Sequence, residues 1–132
     1  MTYAEHIDAL LAEHSVAVEW RDRTNARSWR RTRRVRIQPV QGASTYAVAL
    51  HEIGHVVGPQ SGPRLNKEAQ AWRWAELNAI EWTDGMARKA AQSIATYLAW
   101  CERRRGVWVP PAGHDARRVA AGKGAKPPRN LH

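Results

Sequence analysis

The chain has 132 residues, enough for one domain with a modest core but not for two independent ones. Seven Trp and three Tyr with no Phe make tryptophan the main aromatic of that core, and the lone Cys101 rules out an internal disulfide. Twenty-one Lys and Arg against twelve Asp and Glu give a net charge of +9, which favours solubility and attraction to acidic partners, while Met1 to Ser15 lacks the unbroken apolar run of a signal peptide or membrane span, so the cytoplasm is the expected compartment.

Thr2 is placed to cap a first helix reaching about His14, since Tyr3, Ile7, Leu10 and Leu11 recur at helical spacing and Glu5 sits in the first turn. Two short β-branched stretches follow, Val16 to Trp20 and Arg34 to Val40, and read as strands. Pro39 ends the second or marks it as an edge. Between them, Arg21 to Arg34 holds Arg21, Arg23, Arg27, Arg30, Arg31, Arg33 and Arg34 around a single Trp29, and is expected to form an exposed hairpin tip. That Arg-rich 21–36 segment is either a solvated loop or a basic patch for weak contact with nucleic acid or an acidic protein.

A turn at Gly42 to Ser44, with the serine able to cap, precedes a largely apolar helix, "TYAVALHEIGHVV", that stops at Gly58. "GPQSGPRL" is a loop. Asn66 can cap the helix "KEAQAWRWAELNAIEW", and Thr83 a last one in which Ala87, Ala90, Ile94, Leu98 and Cys101 share a face. Trp72 is expected in the core beside the preceding helix, and Trp74 as packing or a pocket wall. From Val109 the chain is rich in Pro, Gly and basic residues and reads as a flexible tail. The expectation is an α+β fold over 1–108: an N-terminal helix, a short antiparallel sheet, the His-containing helix and two further helices, with the tail at 109–132.

Residues four apart on a helix lie about 6 Å apart along the axis and roughly 40° around it, so His51 and His55 project from one face and can grip one metal ion. Glu52 can lean toward the same site and take a proton from a water there, the task of a general base. A metal such as zinc lowers the pKa of such a water and polarises a carbonyl, which makes hydrolysis, most often of a peptide bond, the expected reaction. Catalytic zinc usually has three protein ligands. Glu68 is the preferred third, with Glu76 as runner-up and Glu81, His114 and the N-terminal histidines as further candidates. A donor for the oxyanion could come from Tyr46, Tyr97, His114 or an arginine.

"LHEIGHVVG" followed by "KEAQAW" resembles the ImmA/IrrE-type metallopeptidases, in which a strand, a HExxH helix and a later helix bearing Glu-Ala-x-x-aromatic build a gluzincin-like site. The likeness spans about Val16 to Trp82. It implies a zincin-like domain with zinc on His51, His55 and Glu68, Glu52 as general base, a protein or peptide substrate, and a phage or mobile-element setting in which some members cleave repressors. This chain departs from the pattern in a short spacer from His55 to Glu68 and in Arg73, where an alanine often follows the aromatic. The rival expectation is a non-catalytic zinc-containing module that binds through the arginines.

Overall fold

The computed structural model describes residues 1–23, 25–104 and 108–121. It is a small α+β domain with the element order α1 (Tyr3–Glu13), β1 (Ala17–Trp20), β2 (Arg27–Trp29), β3 (Arg34–Ile37), α2 (Ala43–Val57), α3 (Arg64–Asn78), α4 (Asp84–Arg103) and α5 (Asp115–Ala120). Among the described residues no helix is long and apolar enough to cross a membrane.

The helix starts follow local chemistry. Thr2 and Glu5 form a reciprocal capping box on α1, and the Thr83 hydroxyl accepts from the Met86 N–H at 3.2 Å on α4. At α2 the expected serine cap is not used. The helix begins at Ala43, and Thr45 Oγ1 reaches back to accept the N–H groups of Gln41 (2.9 Å) and Gly42 (3.1 Å). Asn66 does not cap α3 either, because the helix already starts at Arg64 behind Pro63; the Asn66 amide instead donates to the Ser61 carbonyl at 2.7 Å.

The sheet corrects the sequence-based expectation twice. Inside the supposed hairpin tip, Arg27–Trp29 forms a third strand antiparallel to β3, and β1 then pairs with β3 in parallel, giving a mixed sheet of order β1-β3-β2. β3 is therefore central and carries the buried pair Val35 and Ile37. Its other face holds Arg34 and Arg36, which meet Trp29 and Glu19: Arg36 bonds the Glu19 carboxylate at 2.9 Å, and the guanidinium carbons of Arg27, Arg34 and Arg36 lie 5.2, 4.1 and 5.3 Å from the Trp29 ring centre. Trp29 is thus a half-buried platform under cation–π contacts rather than a lone exposed aromatic.

α2 is the hub. It buries residues on every side, from Tyr46 and Ala47 to Ile53 and Val56, and packs against α1, α3, α4, β2 and β3. A helix apolar all round can only be stable when enclosed in this way. Its approach to α3 is close enough to need glycine: a Cβ on Gly54 would sit 2.9 Å from the Ala71 carbonyl oxygen and 3.2 Å from the Trp74 ring. Trp72 is core, as expected, and Trp74 packs on the Gly54 and Gly58 backbone while walling an outer hollow with Pro59 and Leu77.

The segment expected to be flexible from 109 corrects in part. Pro110 is buried, and α5 packs on α4 and α3 with Ala116 and Val119 inside, while His114 caps it by accepting the Ala116 N–H at 2.9 Å. Residues 122–132 of that expected tail lie outside the described residues.

Candidate metal centre

The helical spacing places His51 and His55 on one face of α2, and the turn at Gly58 to Pro63 brings α3 back across it. Three atoms from the two helices converge: His51 Nε2 lies 2.7 Å and His55 Nε2 2.6 Å from the same Glu68 oxygen, and the two nitrogens are 3.1 Å apart. Glu68 is not in the first turn of its helix, where the sequence placed it, but one turn deeper, because α3 starts earlier. It is 6% exposed, so its place is not that of a solvated carboxylate favouring a helix N-terminus.

The outer partners fix which ring nitrogens face inward. The Gln60 side-chain N–H donates to the carbonyls of Pro59 (3.0 Å) and Lys67 (3.1 Å), which turns its carbonyl oxygen toward His55 Nδ1 at 3.1 Å. His55 therefore keeps a proton on Nδ1, which leaves Nε2, facing Glu68, as the nitrogen that would give up its proton to a metal ion. On His51 the acceptor-only carboxylate of Glu52 lies 3.2 Å from Nδ1, which favours the same tautomer. Trp72 stacks on the His51 ring, with centres 4.2 Å apart and planes 12° from parallel, and locks its orientation.

Two imidazole lone pairs and a carboxylate aimed at one point repel unless protons or a metal ion lie among them. Burial opposes a charged His51, but the carboxylates of Glu52 and Glu68 outweigh it and push the imidazole up to about 9. Burial likewise raises Glu68, yet the hydrogen bonds from both histidines hold it well below the usual carboxylate range. A metal ion could be held here: one ligand atom from each of His51, Glu52 and His55 lies within 4.8 Å of the others, and the tighter His51, His55 and Glu68 triad needs only slight opening to the roughly 3.3 Å donor separation of tetrahedral zinc.

The triad lies in an open cleft of about 660 Å³. One wall is the edge strand β2, through Arg27 and Ser28, with Ala26 just before it; the facing walls are α3 and α4 with Arg64, Lys89, Ser93 and Tyr97. Arg64 donates to the Tyr97 hydroxyl at 3.1 Å. Burial, with the Glu68 carboxylate near by, pushes the Tyr97 phenol above its ordinary value and keeps it a donor.

The other candidates lie elsewhere. The Tyr46 hydroxyl is buried away from the cleft, accepting from the Ile80 N–H at 2.9 Å and paired with His6 Nδ1 at 2.6 Å. His114 Nε2 donates to the Asn66 side-chain oxygen at 2.8 Å, Glu81 is exposed and accepts from the Tyr3 hydroxyl, and His14 packs against the Trp74 ring. Glu76 is half-buried on α3 and does not line the cleft. Of the oxyanion candidates, the fold thus brings Tyr97 and an arginine, Arg64, to the cleft.

Two contributors carried no signal in the sequence. Gln60 is an ordinary loop glutamine until the chain path sets it beside His55. Arg30, one of the arginines assigned to a basic patch, donates to the carbonyls of His55 (3.0 Å) and Gly58 (2.7 Å) and closes the C-terminal end of α2. Comparisons of the chain with protein-family models, with curated proteins and with solved structures returned no match.

Proposed function

We propose that the cleft is the active site of a zinc-dependent metallopeptidase with a zincin-like plan, in which His51, His55 and Glu68 hold the metal and Glu52 is the general base. The observation that carries this reading is the convergence of His51 Nε2, His55 Nε2 and Glu68 Oε2 at one point in a cleft open enough for a substrate. Its resemblance to ImmA/IrrE-type enzymes rests on "LHEIGHVVG" and "KEAQAW".

Zinc, when bound, supplies a Lewis acid that polarises the scissile carbonyl and makes water acidic near neutral pH. The remaining work belongs to the chain. Glu52 is buried at the His51 ring, where its carboxylate takes the proton of the attacking water and returns it to the leaving amine. Tyr97, held by Arg64, donates toward the oxygen that gains charge. β2 is an edge strand on the cleft wall, so an extended peptide can add its backbone beside it, which favours a peptide over other hydrolysable substrates. The rival binding module loses support because Arg21, Arg30, Arg33, Arg34 and Arg36 are engaged within the fold, with Glu19, α2, the His14 carbonyl or Trp29.

The test is metal analysis together with peptidase assays of wild type and Glu52→Gln. The expected result is one zinc per chain in both proteins and a turnover lowered by about 10²- to 10⁴-fold in the variant. No zinc uptake, or proteolysis untouched by Glu52→Gln, overturns the reading.

A further inference from the structure

The cleft is lopsided in charge. Its only acidic lining residues, among those described, are Glu52 and Glu68, and both are buried against the histidines. Arg64, Lys67 and Lys89 line the same space, and among the described residues none of them lies within ion-pair distance of a carboxylate: the Arg64 guanidinium donates to the Tyr97 hydroxyl, and Lys67 is exposed. Arg27 also lines it, although its guanidinium is turned to Trp29.

A second hollow of about 300 Å³ shares Ala26, Val48 and Lys89 with the first and continues past the N-terminal part of α2 to Ser44 and Thr45. The two form one groove along the β2 side, with Lys89 at the junction. The second hollow is lined by uncharged side chains, Asn25, Gln38, Ser44 and Thr45 with the apolar Ala26 and Val48, and by Lys89, again without a carboxylate. A bound divalent cation would add to this positive field. In a cleft with low-dielectric walls such a field concentrates ligands of opposite sign and penalises those of like sign.

We propose that the groove selects acidic peptides: extended segments with Asp or Glu flanking the bond presented to the metal centre, read by Lys89 on one side and by Arg64 and Lys67 on the other. This rests on the peptidase reading for cleavage, but not for binding.

The experiment uses short fluorescent peptides of equal length whose flanking positions are acidic, amide or basic, with zinc present. Binding is read by anisotropy with Glu52→Gln, and cleavage with wild type. The expected preference for acidic over basic peptides is about tenfold or more at low salt and shrinks as salt rises. Lys67→Glu/Lys89→Glu, and the milder Lys67→Gln/Lys89→Gln, should bring that ratio to near unity, with thermal melts verifying the fold. Arg88→Glu/Arg103→Glu, the same charge change on exposed positions of α4 outside the groove, should preserve it.

A ratio near unity in the parent protein, or one lost equally in the α4 control pair, overturns the proposal. Peptides cleaved without charge preference sink the groove inference and leave the peptidase reading standing. Acidic peptides bound through Lys67 and Lys89, but never cleaved, do the reverse.

Discussion

The Gln60 side-chain carbonyl lies 3.1 Å from His55 Nδ1, and both N–H bonds of the same amide are spent on the Pro59 and Lys67 carbonyls. Gln60 therefore sets the tautomer of a metal-ligand candidate without approaching the metal position itself. Removing such an outer partner typically weakens metal binding by about 10- to 100-fold. Gln60→Ala should show that loss in a zinc competition titration against a chromophoric chelator, with helix content unchanged. Unaltered affinity would mean that His55 needs no such orientation.

Glu68 and Glu76 lie on the same helix, and only Glu68 reaches the histidines. Glu68→Gln removes the charge that balances two imidazoles and a divalent ion, so zinc should no longer co-purify at one equivalent. Glu76→Gln should bind zinc as the parent does. Metal content after dialysis distinguishes them, and equal retention by both variants would remove Glu68 from the ligand set.

The chemical part of this site was legible in the sequence because helical spacing alone brings His51, Glu52 and His55 together, and a short loop must return α3 over them. Thr2 and Thr83 were legible for the same reason: a cap is a local bond. β2 was not, because three residues with two polar side chains carry no apolar alternation, and its pairing depends on β3 beyond the turn. Nor could the spacing show that β1 and β3 run parallel, since a long arginine-rich connection between two strands reads as a hairpin until a third strand is found within it. Tyr97 could be named only as one of several donors, because its approach depends on how α4 crosses α3.

Gly54 lies between the two histidines and faces α3. Alanine there would gain up to about 1 kcal/mol in helix propensity. A Cβ 2.9 Å from the Ala71 carbonyl oxygen forces backbone apart, however, and overpacking of this kind costs about 1–3 kcal/mol. Strain should win: Gly54→Ala is expected to lower the melting temperature and also zinc affinity, because the displaced helix is the one that carries Glu68. Gly85→Ala on α4, whose nearest neighbours would be at 3.7 and 3.8 Å, should instead be neutral or stabilising. A Gly54→Ala protein as stable as the parent would show that α2 and α3 can separate without cost.

Val119 on α5 is 5% exposed, and α5 lies against both α4 and α3. His114 at its start is also bonded to Asn66, two residues before the candidate ligand Glu68. The stretch composed like a tail therefore braces the helix that completes the candidate metal centre. Val119→Ala deletes two buried methyl groups' worth of apolar contact, about 0.8 kcal/mol each, and should lower stability by about 1–2 kcal/mol in urea titrations. Val119→Asp buries a carboxylate with no partner and should cost more, exposing apolar surface and raising dye binding. If α5 did not pack, neither substitution would move the urea midpoint; and because α5 touches α3 as well as α4, the aspartate variant should weaken zinc binding along with the fold.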